Sequence, residues 1–145
     1  MKALIQRVRQ ATVSNGDYRA DINCGAVILL GVGQEDKPED AAYLARKTAQ
    51  LRIFEDSQGK LNLSLLDIKG EALVVSQFTL YADTKRGNRP SFSQAATPLK
   101  AEQLYQHYTQ ELSKQGIPVK TGIFHSHMLV NIANDGPVTI LLESR

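Results

Sequence analysis

Eight consecutive apolar residues, Gly25 to Val32, limit the folds open to this chain more than any other segment. An apolar run without alternation is typical of a strand covered on both faces. A helix is predicted to follow from Pro38, since proline suits the first helical position and Glu39 and Asp40 favour the first turn. A buried strand that leads into an amphipathic helix indicates an α/β fold.

The remaining segments alternate between strand and helix patterns. Five predicted elements follow from β-rich runs, turn formers and helix-capping signals: a strand from Ala3 to Val13 with a hairpin turn at Asn15-Gly16, a buried strand from Ala72 to Leu80, a helix opened by Thr97-Pro98, and strands from Met128 to Ala133 and from Val138 to Leu142. The turn formers Asn134 to Pro137 are predicted to join the last two strands. No linker or repeat divides the chain. We therefore predict one α/β domain over residues 1–145, with mixed β-sheets and two main helices.

Composition excludes several classes of protein. With 42% hydrophobic and 22% charged residues, the chain has the composition of a globular domain rather than a disordered one. Its apolar runs are far shorter than the roughly 18 residues of a membrane span, and the first residues lack a signal-peptide apolar region, so we expect a cytoplasmic protein without a membrane partner. The single cysteine, Cys24, excludes an internal disulfide and is expected to be buried.

The usual catalytic motifs are absent. Ser76 lacks the glycines of a hydrolase nucleophile elbow. His125 and His127 are predicted to lie on one face of a strand, but no third ligand is dictated by spacing, so no metal site is expected. Gly31-Val32-Gly33 lacks the third glycine of a dinucleotide loop, and no cofactor is predicted.

Two local features do indicate a site. Ser76, Gln77 and Thr79 place three polar side chains in a predicted buried strand, where they must be hydrogen-bonded or face a cleft, and we favour the cleft. The second feature is the run from Lys85 to Pro90, which carries three cations among turn formers and could bind phosphate although the net charge is only +2. These residues alone do not name a reaction.

Two motifs resemble the signatures of D-aminoacyl-tRNA deacylases, formerly called D-tyrosyl-tRNA deacylases. They are Val74-Val-Ser-Gln-Phe-Thr-Leu80 and Asn134-Asp-Gly-Pro-Val-Thr139. Further similarity runs in the same order through the whole chain, at Ala3–Val8, Leu29–Val32, Arg52–Phe54, Lys60–Asn62 and Asn88–Ser93. One segment departs from the family pattern: between Phe124 and Met128, where the family usually has small residues, this chain has His125-Ser126-His127. Bulkier residues there either narrow the cleft or point outward.

The resemblance implies an editing hydrolase of translation. Its substrate would be tRNA charged with a D-amino acid or with glycine, the ester bond to the terminal ribose would be cleaved, and L-aminoacyl-tRNA would be rejected. The neighbouring ribose 2′-hydroxyl would help to position or activate water. It also implies a homodimer in which a cis Gly136-Pro137 peptide of one subunit enters the pocket of the other.

The resemblance further assigns roles to individual residues. Backbone N–H groups of the catalytic segment would stabilise the oxyanion, main-chain carbonyls would exclude L side chains, one residue would line the pocket wall, and three cations would contact tRNA phosphates. The residues in these roles are Ser76, Gln77, Phe78 and Thr79 in the catalytic segment, Gly136 and Pro137 in chirality selection, Met128 in the wall, and Lys85, Arg86 and Arg89 at the tRNA.

Two other functions stay open from the sequence. An RNA-binding module without catalysis would explain the basic loop but not the polar strand or the Gly-Pro corner. An esterase or amidase for a small metabolite would share the hydrolytic site without using RNA.

Overall fold

The computed structural model describes residues 1–144 and contains two sheets, two α-helices and a short 3-10 helix. The strands are β1 (Lys2–Asn15), β2 (Tyr18–Ile22), β3 (Gly25–Gly31), β4 (Phe54–Glu55), β5 (Leu61–Leu63), β6 (Glu71–Ser76), β7 (Val119–Thr121) and β8 (Leu129–Glu143). The helices are α1 (Pro38–Gln50) and α2 (Pro98–Lys114), and the 3-10 helix spans Phe78–Tyr81. The expected mixed α/β fold with two main helices is confirmed.

The main sheet has the order β2-β1-β3-β6-β7, and β8 pairs along β1. The pairs β3–β6 and β6–β7 are parallel, whereas β1 is antiparallel to β2, β3 and β8. Parallel neighbours need crossover connections, and α1 and α2 lie in those connections. Strands β4 and β5 form a separate hairpin around the turn at residues 56–59.

The core lies on both faces of the central strands. Alternate residues of β3 point to opposite faces, so Ile28 packs in the cluster that contains Leu44 of α1 and Tyr108 of α2. Val27 packs in a second cluster on the other face, with Leu73. This two-sided burial explains the unbroken apolar run of β3.

Two expected strands have different limits. The strand expected to reach Leu80 ends at Ser76, because its neighbour β3 ends at Gly31 and the N–H of Gln77 donates the last sheet bond to the carbonyl oxygen of Leu30. The two strands expected on either side of residues 134–137 are one strand, β8, whose pairing with β1 shifts at Val8. Here the Asn134 side chain accepts a hydrogen bond from the N–H of Val138 at 2.9 Å, which replaces a ladder bond and keeps the strand continuous.

Two smaller expectations are wrong. His125 and His127 lie in the connection between β7, which ends at Thr121, and β8, which begins at Leu129, and not on a strand, because the chain turns at residues 124–125 before β8 begins. Cys24 is exposed and not buried, because it lies in the short connection between β2 and β3.

Candidate active site

A cavity of about 640 Å³ opens at the carboxyl end of β6. Parallel strands commonly present their ligand sites at this end. Its walls come from the end of β6, the 3-10 helix, residues 92–96, the start of α2 and the segment 124–130. Of the expected site residues, the cavity brings together Ser76, Gln77, Phe78 and Met128.

The backbone N–H groups at this edge differ in what they bind. The N–H groups of Glu71 and Gln77 donate towards the β3 side, to the carbonyl oxygens of Cys24 just before β3 and of Leu30 in it. The N–H of Ala72 donates towards the β7 side, to the carbonyl oxygen of Pro118. Alternation along β6 therefore directs the N–H of Ser76 towards the β7 side, where segment 122–128 continues. The expected set of oxyanion donors is corrected at Gln77, because its N–H is already bonded to the carbonyl oxygen of Leu30 at 2.8 Å.

The 3-10 helix presents Phe78 and Thr79 differently. Phe78 lines the cavity with 55% of its surface exposed, and its ring packs edge-to-face on Phe92 with centroids 4.9 Å apart. Thr79 is exposed and does not line the cavity, and its hydroxyl accepts a hydrogen bond from the side-chain amide of Gln77. The N–H groups that begin a helix have no partner within it, so Phe78 and Thr79 supply backbone donors next to the cavity.

The opposite wall is the segment from Phe124 to Met128. The sulfur of Met128 accepts a hydrogen bond from the N–H of Ile123 at 3.3 Å, which fixes the side chain against the wall. His125 and His127 are exposed at the rim, and His125 has the left-handed backbone angle φ +57°. Left-handed backbone is uncommon for residues other than glycine.

One tyrosine packs behind the cavity wall, and a second ends the 3-10 helix. Tyr105 is buried, donates to the carbonyl oxygen of Val74 at 2.8 Å and packs against Phe124. Burial raises the pKa of Tyr105, and burial together with the carboxylate of Asp36 raises the pKa of Tyr81. Both hydroxyls stay protonated at neutral pH and act as hydrogen-bond donors rather than bases.

The Gly136–Pro137 corner lies outside this cavity. Its peptide bond is cis, and both residues are exposed on β8. The guanidinium of Arg7, only 6% exposed, donates to the carbonyl oxygen of Asp135 at 2.7 Å and to that of Ile53 at 2.8 Å. Arg7 thereby ties the corner to the segment before β4.

The corner and the end of β6 lie on different rows of the sheet, and the corner is not part of the cavity of the same chain. The row through Ser76 continues through Leu30 of β3, whereas the row through Asn134 meets β6 at Glu71. Neither Gly136 nor Pro137 is among the residues that line the cavity of its own chain.

The three cations of the basic loop are likewise outside the cavity lining. Lys85, Arg86 and Arg89 are exposed in the loop between the 3-10 helix and α2. A bridge between Asp83 and Ser91 closes the base of this loop, next to the cavity residue Phe92.

Sequence reasoning missed Arg7 and Phe92. Ala3, Ile5 and Arg7 are alternate residues of β1, so all three face the interior of the protein. A cation at an inward-facing position is the sequence signal that could have identified Arg7. Phe92 lies within the Asn88–Ser93 similarity, but that segment does not assign it to the cavity, because its partner Phe78 is distant along the chain. Within residues 1–144, no cluster of three or more His, Cys, Asp or Glu side chains could hold a metal. No helix in that range is long and apolar enough to cross a membrane.

Comparison with known proteins places the chain in a family. Residues 4–143 match the family model of D-Tyr-tRNA(Tyr) deacylase. The D-aminoacyl-tRNA deacylases of Thermosipho melanesiensis and Desulforamulus reducens are 52% and 53% identical to the chain, over 100% of it and 98% of each relative.

Solved structures agree in fold. The c-Myc DNA Unwinding Element Binding Protein superposes with a TM-score of 0.94 at 42% identity, over 100% of this chain and 99% of that one. A probable eukaryotic D-amino acid tRNA deacylase, at 16% identity, has the same fold with a TM-score of 0.85 over 98% of both chains. The chain belongs to the D-Tyr-tRNA(Tyr) deacylase family, whose members are hydrolases of the aminoacyl-tRNA ester bond.

Proposed function

We propose that this chain hydrolyses the ester of D-aminoacyl-tRNA in the cytoplasm, releases the D-amino acid and tRNA, and rejects L-aminoacyl-tRNA. The observation that carries the proposal is a cavity of about 640 Å³ whose polar edge is the end of β6 and the start of the 3-10 helix. This volume lies within the range of small-molecule sites and suits an aminoacylated nucleoside.

Backbone donors supply the electrostatic stabilisation in this proposal. Water adds to the ester carbonyl carbon, the developing oxyanion accepts hydrogen bonds from N–H groups of Ser76, Phe78 and Thr79, and the carbon–oxygen bond to ribose then breaks. The ribose oxygen takes a proton from the added water and leaves as a hydroxyl, and the water oxygen stays in the carboxyl group of the released D-amino acid. The backbone N–H of Gln77 is bonded to Leu30 of the sheet and is not free for the oxyanion. We therefore assign the side chain of Gln77, and not its backbone, to orienting the substrate.

A second copy of the chain supplies the chirality filter. The exposed Gly136–Pro137 corner is not among the residues that line its own cavity. Strand β8 is an edge strand over the described range, and Leu129 and Leu141 expose apolar surface along it. Edge strands with exposed apolar residues favour pairing with another chain. A homodimer would bring the corner of one copy to the cavity of the other.

Selection by the main chain would be independent of side-chain identity. If carbonyl oxygens of the corner occupy the space that an L side chain needs, every L residue is excluded whatever its size, which an apolar pocket cannot achieve. Glycine has no side chain to exclude. We therefore expect glycyl-tRNA to be cleaved as well.

The basic loop provides the contact with tRNA. Lys85, Arg86 and Arg89 are exposed beside the cavity wall at Phe92, where phosphates of the RNA strand would pass. Such contacts position the RNA without reading its sequence.

One assay tests the proposal. D-Tyr-tRNA, L-Tyr-tRNA and D-tyrosine ethyl ester are offered side by side, and release of tyrosine is followed. We expect fast cleavage of D-Tyr-tRNA only. Binding of tRNA without cleavage would indicate an RNA-binding module, and equal cleavage of the ethyl ester would indicate a small-molecule esterase.

A further inference from the structure

The rim of the cavity carries two histidines that the deacylation chemistry does not use. His125 and His127 lie on the wall opposite the end of β6 and are both exposed, whereas Ser76 and Met128 are half-buried in the same cavity. Exposure places the two imidazoles at the mouth rather than the floor. A ligand that fills the cavity would meet them where it leaves the protein.

The backbone holds this pair in place. The carbonyl oxygen of His127 accepts a hydrogen bond from the side-chain amide of Asn15 at 2.8 Å, which ties the segment to the turn after β1. The ring of His125 packs edge-to-face near Phe124, with centroids 6.3 Å apart. His125 has a left-handed backbone conformation, although it is not a glycine.

The surroundings favour an anion. No Asp or Glu is among the described residues that line this cavity, and the two imidazoles are its ionisable side chains. The first turn of α2, whose residues Pro98 and Ala101 also line the cavity, carries no acidic residue. A helix N-terminus adds positive potential, and each imidazole offers at least one N–H donor in either protonation state. The exposed cations of the basic loop, Lys85, Arg86 and Arg89, precede the cavity residue Phe92 in the chain.

We propose that His125 and His127 bind the phosphate that joins the terminal nucleoside to the rest of the tRNA. This rests on the proposed function, because it takes the substrate to be an aminoacylated RNA 3′ end. With the ester held at the end of β6 and the nucleoside in the cavity, the nearest phosphate of the strand lies at the mouth. The histidines thus act in substrate binding and not in ester cleavage.

The test separates phosphate from nucleoside. The double variant His125→Gly/His127→Ala is compared with the wild-type chain on three D-tyrosyl esters: that of tRNA, that of the trinucleotide CCA, and that of adenosine, which has no phosphate. Glycine accepts the left-handed backbone at position 125, so the wall keeps its conformation. His107→Ala is the matched control, since His107 lies on α2 away from the cavity lining.

We expect KM to rise about tenfold or more for the tRNA and CCA esters, with kcat nearly unchanged and the adenosine ester unaffected. His125→Asn/His127→Asn, which restores amide N–H donors, should recover part of the loss. An equal rise for the adenosine ester would overturn the proposal and assign the histidines to the nucleoside or amino acid. Unchanged KM for all three esters would also overturn it.

A binding measurement separates this proposal from the proposed function. Calorimetry with uncharged CCA needs no catalysis, so the histidines are tested even if the wild-type chain cleaves none of the esters. Weaker binding of CCA by the double variant, with equal binding of adenosine, supports the phosphate contact. Equal binding of CCA by both proteins contradicts it.

Discussion

The guanidinium of Arg7 holds the carbonyl oxygen of Asp135 at 2.7 Å, directly before the Gly136–Pro137 corner. The same side chain donates to Ile53 and lies 3.7 Å from the carboxylate of Glu55. One buried cation therefore fixes both the entry to the corner and the segment beside it. In the proposed dimer, this contact would set the position of the corner that enters the partner's cavity.

Arg7→Ala should lower both stability and activity. Two carbonyl oxygens lose their donor, which costs about 2 to 3 kcal/mol in the free energy of unfolding. The untied corner should lower kcat/KM for D-Tyr-tRNA. Denaturant unfolding and deacylation kinetics check the two effects. Arg9→Ala is the control, because Arg9 is 81% exposed and pairs with Asp135 only at the surface. If Arg9→Ala lost as much stability and activity as Arg7→Ala, a special role for Arg7 would be contradicted.

Gly136→Ala should abolish most deacylation of D-Tyr-tRNA without creating activity on L-Tyr-tRNA. An added Cβ would lie 2.8 Å from Cγ2 of Val138 and 2.9 Å from its backbone nitrogen, at a backbone angle of φ +143° that side chains rarely adopt. Gly16→Ala is the matched control, since Gly16 also has positive φ but open space around it. Both tRNA esters are assayed. If folded Gly136→Ala cleaved D-Tyr-tRNA as fast as the wild-type chain does and still rejected L-Tyr-tRNA, the corner would not be part of the active site.

Thr79→Ala should retain a substantial part of the activity. Its hydroxyl is bound by Gln77, and Thr79 is not among the residues that line the cavity, whereas its backbone N–H is unchanged by the substitution. We expect kcat within about tenfold of the wild-type value, as for loss of one orienting hydrogen bond. A folded variant without turnover, or an acyl-enzyme trapped on Thr79 of the wild-type chain, would instead demonstrate nucleophilic catalysis.

Periodicity predicts the elements that are decided locally. The buried strand β3, the helices from Pro38 and from Pro98 and the hairpin at Asn15-Gly16 follow from apolar patterns, helix starts and turn chemistry over a few residues. Segments whose ends depend on a distant partner were not predicted correctly. Strand β6 ends where β3 stops beside it, and β8 continues through four turn-forming residues because β1 pairs with both of its halves.

The candidate site likewise has a part that is local in the sequence and a part that is assembled from distant segments. The motif around Ser76 could be found in the sequence because its residues are contiguous. Its cavity could not, since Phe92, Phe124 and Ala101 reach it from three separate elements. Arg7 and Asp135 are brought together only by the pairing of β1 with β8. The engagement of the Gln77 N–H depends on β3 and is likewise invisible locally.

Neutralising Lys85, Arg86 and Arg89 together should weaken tRNA binding and flatten its dependence on salt. Each phosphate contact contributes about 0.9 to the slope of log affinity against log salt for a duplex, and about 0.7 for a single strand. Binding at several salt concentrations gives the slope, and the preference for D-Tyr-tRNA over L-Tyr-tRNA should stay unchanged. Lys114→Ala is the control, since Lys114 is paired with Glu111 at the far end of α2. A wild-type slope in the triple variant would leave the loop as plain solvated surface.

Mixing two inactive variants tests directly whether the corner of one copy completes the cavity of another. Gly136→Ala damages the corner and leaves the cavity intact, whereas Ser76→Phe fills the cavity and leaves the corner intact. After denaturation and refolding together in equal amounts, half of the dimers should combine one of each, with one intact site per mixed dimer. We predict recovery of about a quarter of wild-type activity on D-Tyr-tRNA. No recovery, with mixed dimers demonstrated by mass spectrometry, would contradict a site shared between two copies.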